Sequence, residues 1–307
     1  MKLGFIYAGQ GTQYVGMGQS FYENDEDCKN LLDSVELDFD LKDIMFNSDE
    51  KTISMTRFTQ PAMVAVANMA TLLLKKNGIT PDYVCGLSLG EYSALSASGV
   101  FDPKTAIQVV RERGLAMEKA AEGVESAMMA ILGLEREPLL DICVGCDGYV
   151  SIANYNCPGQ LVIAGEKKAV EEAGQKALDN GARRAVPLNT SGPFHTKLLK
   201  DASVRLHEVF KDVTFHEMNV PVIFNCTGKE LEDCSVQEML EKQVMSPVYF
   251  EDSIRTMIDH GVDTIIEIGP GKVLSGFVRK IDRKIKTYQV EDMASLQKCV
   301  EALNETK

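Results

Sequence analysis

One short stretch, residues 83–98, constrains the fold more than any other part of the chain. Tyr83-Val84-Cys85 predicts the end of a short buried strand, and the small residues 91–98 predict a helix. Between them lies Gly86-Leu87-Ser88-Leu89-Gly90, a G-x-S-x-G pattern. A strand, a tight turn flanked by glycines and a helix form a nucleophile elbow, which projects the serine hydroxyl into a cleft. The alternative is a strand–helix turn in which Ser88 only caps the helix.

The rest of the chain alternates predicted strands with predicted helices, as α/β proteins do. The further strands of this pattern are residues 3–7, 221–225 and 264–268. The predicted helices are an acidic stretch at 24–47, one that starts at Pro61, and residues 103–121, 196–210, 236–245 and 250–260. We therefore expect an α/β fold, a mostly parallel sheet with helices on both faces and a ligand cleft at the carboxyl ends of its strands.

Residues 124–189 have a different order of elements. The predicted strands are 127–134, 149–153, 160–164 and 184–188, and the predicted helices are 138–144 and 166–180. Residues 154–159 are predicted to join the two middle strands. This β-α-β-β-α-β order is ferredoxin-like. We expect a small α+β subdomain at 124–189, inserted into a larger domain formed by residues 1–123 and 190–307.

Charge and hydropathy exclude several classes of partner. The net charge is −13 and the isoelectric point is about 4.9, so a nucleic-acid partner, which needs a basic face, is not expected. The N-terminal apolar run is too short for a signal peptide, and the most apolar predicted helix, residues 61–74, is interrupted by Asn68. We therefore expect a cytoplasmic protein without a membrane partner.

The eight cysteines are scattered and are expected to be reduced thiols. Cys143 and Cys146 form a C-x-x-C pair. A zinc site needs four ligands, and no second pair accompanies this one. We interpret the pair as structural and expect no metal site.

A serine hydroxyl needs an adjacent base to act as a nucleophile. The histidines are His195, His207, His216 and His260, and the last three lie in predicted surface positions. His195 alone lies in a Gly-Pro loop just before a predicted helix, where catalytic side chains are often presented. A buried structural histidine is the alternative, and no Asp or Glu stands out as a third member of a triad.

Several blocks, taken together, resemble the malonyl-CoA:acyl-carrier-protein transacylase family. They occur in family order from residue 7 to residue 274 and so cover nearly the whole chain. The blocks are Tyr7-Ala8-Gly9-Gln10-Gly11-Thr12-Gln13, Phe58-Thr59-Gln60-Pro61-Ala62, Gly86-Leu87-Ser88-Leu89-Gly90-Glu91-Tyr92, Arg113-Gly114, Met117, Asn154-Tyr155-Asn156-Cys157-Pro158-Gly159-Gln160, Pro193-Phe194-His195 and Glu267-Ile268-Gly269-Pro270-Gly271-Lys272-Val273-Leu274. The resemblance implies a hydrolase-like α/β fold with an inserted ferredoxin-like subdomain.

The resemblance also implies a catalytic set. Ser88 would carry the malonyl group as an ester, and His195 would be its general base and then its general acid. The family uses a backbone carbonyl, here that of Gln243, to orient the histidine in place of a carboxylate. The backbone N–H groups of Leu89 and Gln10 would form the oxyanion hole.

Substrate contacts follow from the same resemblance. Arg113 would hold the free malonyl carboxylate, and Asn156 and Phe194 would contact the substrate. Phe194 before the histidine resembles malonyl-selective members. The family usually has histidine just before the nucleophile, where this chain has Leu87. That change is expected to affect acyl preference and not the chemistry.

The implied activity is a ping-pong transfer of malonyl from malonyl-CoA to the phosphopantetheine thiol of acyl carrier protein, for fatty acid synthesis and with no bound cofactor. The carrier is typically acidic, so basic residues are expected at its docking surface. The candidates are Arg279, Lys280, Arg283, Lys284, Arg183, Arg184 and Lys272. A serine esterase or thioesterase, or a stand-alone polyketide acyltransferase with another acyl-CoA preference, are the alternatives.

Overall fold

A parallel sheet forms the centre of the larger part of the molecule, in a computed structural model that describes residues 1–305. Its strands are β1 (Leu3–Tyr7), β2 (Tyr83–Gly86), β7 (Val222–Ile223), β9 (Thr264–Ile268) and β10 (Lys286–Val290). Their spatial order is β10-β9-β1-β2-β7, and all neighbouring pairs are parallel.

Both faces of this sheet are buried, as a parallel sheet requires. In β1, Phe5 and Tyr7 belong to one hydrophobic core, whereas Ile6 between them belongs to another. The helices of the first core are α1 (Gln19–Asn24), α2 (Glu26–Asp33), α3 (Leu41–Asn47), α4 (Glu50–Ile53), α5 (Thr56–Lys76), α6 (Gly90–Ser98), α7 (Pro103–Ala121), α10 (Lys200–Phe210), α11 (Val236–Gln243) and α14 (Met293–Asn304). The second core contains α12 (Phe250–Asp259) and α13 (Val273–Ile281). The alternation along β1 therefore places helices on both faces.

The second sheet is formed mostly by the strands that lie between β2 and β7 in the sequence. Its strands are β3 (Ser126–Leu132), β4 (Val150–Cys157), β5 (Gln160–Glu166), β6 (Arg184–Pro187) and β8 (Val248–Tyr249), in the order β6-β3-β5-β4-β8. Helices α8 (Arg136–Val144) and α9 (Lys167–Asp179) complete a β-α-β-β-α-β unit whose own strands are all antiparallel. The predicted α/β class and the ferredoxin-like order are confirmed.

The ferredoxin-like unit is closely joined to the rest of the chain. Met128 and Val162 on one face of its sheet belong to the main core, while Ile131 and Ile163 on the other face pack with α8 and α9. Strand β8, which comes from outside residues 124–189, pairs in parallel with β4. The two-domain division at residues 123/124 and 189/190 stays a prediction.

Three local predictions were wrong. The acidic stretch at 24–47 is divided into separate helices, with Asp25 and Asp40 as the N-caps of α2 and α3. Residues 154–157 extend β4, so only the Pro158-Gly159 turn joins it to β5. Pro61 lies inside α5 and not in its first turn.

Pro61 is tolerated because a side chain replaces its missing hydrogen bond. Proline has no N–H to donate to the carbonyl four residues earlier, which is that of Arg57. The guanidinium of Arg111 on α7 donates to this carbonyl oxygen at 3.3 Å. No helix within residues 1–305 is long and apolar enough to cross a membrane.

Candidate active site

Ser88 lies in a tight turn between the end of β2 and the start of α6. Its φ angle is +53°, in the left-handed region that non-glycine residues rarely adopt. The glycines on both sides are required. A β-carbon on Gly90 would lie 2.1 Å from the carbonyl oxygen of Tyr7, and one on Gly86 would lie 2.0 Å from the Gly90 carbonyl carbon. The G-x-S-x-G pattern thus forms a strand–turn–helix elbow at the carboxyl end of the sheet.

His195 is held against Ser88 from the opposite side of the cleft. Its Nε2 lies 2.6 Å from Ser88 Oγ, and its Nδ1 lies 2.9 Å from the carbonyl oxygen of Gln243. Because a carbonyl can only accept, Nδ1 carries the ring hydrogen and donates it to Gln243. Nε2 is then the acceptor for the Ser88 hydroxyl. The arrangement is a serine–histidine pair oriented by a backbone carbonyl.

The surroundings of His195 keep its ring neutral. Burial lowers the pKa of His195 to about 4, and the positive charge of Arg113 acts in the same direction. The ring is 3% exposed. At neutral pH, His195 is therefore unprotonated and able to accept a proton from Ser88.

Arg113 on α7 is a fully buried cation (0% exposed) at the same point. Its Nη2 donates to Ser88 Oγ at 3.2 Å and to the side-chain Oε1 of Gln243 at 3.0 Å. Its Nε has no hydrogen-bond partner within the described chain, and the Tyr92 ring lies 5.3 Å from its guanidinium carbon. A buried guanidinium with an unused N–H next to the nucleophile suits an anionic ligand group.

These side chains line a cavity of about 920 Å³ between the parallel sheet and the ferredoxin-like unit. Of the predicted site residues, seven line the cavity: Ser88, His195, Gln10, Leu89, Arg113, Asn156 and Phe194. Gln243 lies behind His195 and touches it through its backbone. Leu87 also lines the cavity, where it is half-buried. The structure thus brings together the eight residues predicted as catalytic, oxyanion-hole and substrate-binding.

Two residues that line the cavity with Ser88, Leu89 and Gln10, have backbone N–H groups without a protein acceptor in residues 1–305. Leu89 directly precedes α6, and Gln10 lies in the loop after β1. The Gln10 side chain donates to Thr56 Oγ1 at 3.0 Å, which fixes this loop. The two N–H groups are thus available to an oxygen of a ligand at Ser88.

Sequence reasoning missed two fully buried residues behind the elbow, Asn225 and Glu91. The Asn225 side chain hydrogen-bonds the backbone on both sides of Leu87, and the backbone N–H of Asn225 donates to the Glu91 carboxylate. No local pattern marks Asn225, which is 137 residues from Ser88. Glu91 could have been singled out from the sequence, because it is an acidic residue directly after Gly90, the second glycine of the elbow.

The cysteines and acidic residues of the described chain do not meet the requirements of a metal site. No group of three or more His, Cys, Asp or Glu in the described part of the chain could hold a metal ion. All eight cysteines are free thiols. Burial raises the pKa of Cys143 to about 12, which makes it a poor metal ligand.

Comparison with known proteins agrees with the geometry. Residues 4–302 match the family described as acyl transferase domain. The chain is 43% identical over 310 residues to a malonyl CoA-acyl carrier protein transacylase of Bacillus subtilis, covering 99% of this chain and 98% of that protein. It is 36% identical to the transacylase of the same name from Staphylococcus aureus, covering 96% and 97%.

Solved structures are also similar over nearly the full length. The malonyl CoA-acyl carrier protein transacylase of Clostridium perfringens superposes with a TM-score of 0.95 at 41% identity, covering 100% of this chain and 98% of that one. A malonyl-transacylase solved in complex with its type II polyketide acyl-carrier protein superposes with a TM-score of 0.94 at 33% identity, covering 98% and 100%.

Proposed function

The chain belongs to the acyl transferase family, and we infer that it transfers a malonyl group from malonyl-CoA to the phosphopantetheine thiol of acyl carrier protein. It is an enzyme, an acyltransferase that supplies malonyl units for fatty acid synthesis. The observation that carries the proposed mechanism is the contact of Ser88 Oγ with His195 Nε2 at 2.6 Å.

We propose that the first half-reaction makes a malonyl ester on Ser88. His195 Nε2 takes the hydroxyl proton as Ser88 Oγ attacks the thioester carbonyl carbon. The carbonyl oxygen becomes negative and is bound by the N–H groups of Leu89 and Gln10, each worth about 3–4 kcal/mol in comparable sites. The carbon–sulfur bond then breaks, and the CoA thiolate takes the proton from His195 Nε2. Free CoA thiol leaves, and the malonyl group stays on Ser88.

The second half-reaction runs through the same groups. The phosphopantetheine thiol gives its proton to His195 Nε2, and its sulfur attacks the ester carbonyl carbon of malonyl-Ser88. When the carbon–oxygen bond breaks, Ser88 Oγ takes the proton back from His195. The carbonyl of Gln243 keeps the ring oriented for both transfers, since it accepts a hydrogen bond from Nδ1 with an N···O distance of 2.9 Å.

We propose that Arg113 selects the malonyl group. In malonyl, one methylene separates the reacting carbonyl from the free carboxylate, so both must be held close together. Arg113 Nη2 lies 3.2 Å from Ser88 Oγ, so the cation is next to the oxygen that would carry the malonyl group. The unpartnered Nε supplies a further donor for the carboxylate. An acetyl group would leave this buried cation without an anionic partner.

Asn156 and Phe194 are proposed to contact the substrate from the cavity wall. The Oδ1 atom of Asn156 is buried and has no donor in the described chain, so it can accept a hydrogen bond from the substrate. Phe194 is 8% exposed and restricts the space next to His195. Its volume favours an unsubstituted malonyl group over a methylmalonyl group.

The proposed docking surface for the carrier is the basic region of residues 183–184 and 279–286 together with Lys272. Lys280 Nζ donates to Gln160 Oε1 at 3.2 Å, and Gln160 and Arg184 both pair with Leu132 in the second sheet. The two basic segments therefore meet the same end of the second sheet, on either side of Leu132. Such a surface suits an acidic carrier protein.

We propose that the reaction needs no bound cofactor, since serine, histidine and a thioester complete both half-reactions. The cytoplasmic location stays a prediction from the free cysteines and the sequence. It is tested by fractionation of cells that contain the tagged chain.

The experiment that tests the function measures where the malonyl group goes. Malonyl-CoA is mixed with the enzyme with and without phosphopantetheinylated carrier protein, and malonyl-carrier, free malonate and CoA are quantified by mass spectrometry. We expect malonyl-carrier to account for the CoA released, with little free malonate. Release of malonate at the same rate in both mixtures would favour the esterase or thioesterase alternative.

A further inference from the structure

Asn225 lies directly behind the Ser88 elbow and takes no part in the steps derived above. It follows β7, its side chain is fully buried (0% exposed), and it does not line the cavity. All four of its polar groups are nevertheless paired. A buried amide with every group satisfied is a strong local restraint.

The Asn225 amide bridges the two sides of the turn. Its Nδ2 donates to the carbonyl oxygen of Gly86 at 2.7 Å, and its Oδ1 accepts from the N–H of Ser88 at 2.7 Å. Ser88 has a left-handed conformation and belongs to neither β2 nor α6. Without Asn225, the Ser88 N–H would have no acceptor in the protein, which is costly in this part-buried position.

This bridge continues the sheet by means of a side chain. The last registered pair between β2 and β7 is Cys85 with Ile223. Beyond it, the Asn225 side chain presents the same C=O and N–H groups as a peptide unit. It therefore pairs with the elbow where the backbone of β7 no longer does.

Asn225 is itself fixed to the helix that follows the nucleophile. Its backbone N–H donates to Oε2 of Glu91, in the first turn of α6, at 2.5 Å. Its carbonyl oxygen accepts from the N–H of Tyr249 at 2.8 Å. One residue thus joins the strand end, the turn and the first helical turn around Ser88.

We propose that Asn225 is a positioning residue for acyl transfer: its side-chain amide fixes the elbow backbone so that the Ser88 hydroxyl stays within reach of His195 Nε2. The inference rests on the proposed function and adds a residue that acts on the rate of the chemical step. Since Asn225 does not touch the substrate cavity, its loss is expected to lower the rate and leave substrate binding unchanged.

The test compares Asn225→Ala and Asn225→Asp with a matched control, Asn68→Ala. Asn68 is also buried (5% exposed) and donates to a backbone carbonyl, that of Pro103 at 3.2 Å, but it is not in the cavity wall. Rapid-quench intact mass gives the malonylation rate of Ser88 as a function of malonyl-CoA concentration. Thermal unfolding gives Tm and the folded fraction.

We expect Asn225→Ala to lower the maximal acylation rate about 100-fold with unchanged half-saturation, as for a nucleophile displaced by about 1 Å. Asn225→Asp keeps the acceptor for Ser88 but loses the donor to Gly86, so its rate is expected between those of wild type and Asn225→Ala. If Asn225→Ala does not fold, the rate of Asn225→Asp is the measurement that tests the proposal. Asn68→Ala is expected to lower Tm and keep the wild-type rate per folded molecule.

A wild-type rate in the folded Asn225 variants, or an equal loss in Asn68→Ala, would overturn the positioning role. In that case wild-type enzyme still forms its adduct, and the proposed function stands. If wild-type enzyme forms no malonyl adduct, the proposed function fails, and this inference fails with it.

Discussion

Arg113 provides the sharpest test of how the site selects its substrate, because it is fully buried and lies 3.2 Å from the nucleophile. In the proposed complex with malonyl, the carboxylate and the guanidinium would form a buried ion pair. Breaking such a pair by removing one partner costs about 3–5 kcal/mol. At about 1.36 kcal/mol per factor of ten, Arg113→Ala should lower kcat/KM for malonyl-CoA about 150- to 5,000-fold.

The ratio of the two substrates separates this effect from general damage. Arg113 also donates to Ser88 and Gln243, so its removal disturbs the site for every substrate. A disturbance of that kind lowers transfer of malonyl and acetyl equally, whereas loss of the clamp lowers malonyl alone. We expect the ratio of malonyl to acetyl kcat/KM to fall steeply, and acetyl transfer to rise relative to malonyl transfer because an acetyl group no longer leaves a buried cation without a partner.

Arg111 supplies the matched control. It is buried on the same helix, but it pairs with Asp38 at 2.6 Å and contributes nothing to the cavity wall. Arg111→Ala should lower Tm and leave the malonyl-to-acetyl ratio unchanged. If Arg113→Ala also leaves this ratio unchanged, Arg113 does not bind the malonyl carboxylate.

Three further predictions follow from the site. Because the pKa of His195 is lowered to about 4 and the base must be neutral, inactivation of Ser88 by an uncharged fluorophosphonate should slow only as the pH falls through about 4. Arg113→Ala should shift this pH-dependent loss of inactivation rate to higher pH. A wild-type loss centred near the ordinary histidine pKa of about 6.5 would contradict the assignment. Gln243→Ala keeps the carbonyl that orients His195, so stopped-flow acylation should slow far less than in His195→Ala; equal losses would show that the side chain is what matters. Charge reversal at Arg279, Lys280, Arg283 and Lys284 should raise KM for the carrier protein without changing hydrolysis of malonyl-Ser88, and an equal loss of both would indicate misfolding.

The elements with strong local signals were predicted almost to the residue. Helix α7 begins at Pro103 after the N-cap Asp102, and β9 is a fully buried strand at Thr264–Ile268 that is followed by Gly269. The prediction that a helix starts at Pro61 was wrong because Arg111, whose hydrogen bond replaces the one that Pro61 cannot make, lies on a different helix. Strand β10 and helix α14, which close the edge of the sheet, received no prediction.

The site residues also differ in whether the sequence alone could identify them. Ser88 and His195 could be proposed from glycine and proline patterns beside them, and the other roles came from the resemblance to a family. Asn225 could not be found, because what makes it important is contact with Gly86 and Ser88 from another strand. The burial of Arg113 could not be predicted from its sequence position either, since an arginine on an amphipathic helix usually faces solvent.

The central claim is that Ser88 carries the malonyl group between the two thiols. The most direct measurement is the intact mass of the enzyme after brief mixing with malonyl-CoA, followed by addition of phosphopantetheinylated carrier protein. We expect one malonyl adduct, located on Ser88 by peptide mapping, absent from Ser88→Ala and passed to the carrier thiol. An adduct that persists in Ser88→Ala, or transfer to the carrier without any acylated enzyme, would contradict the account.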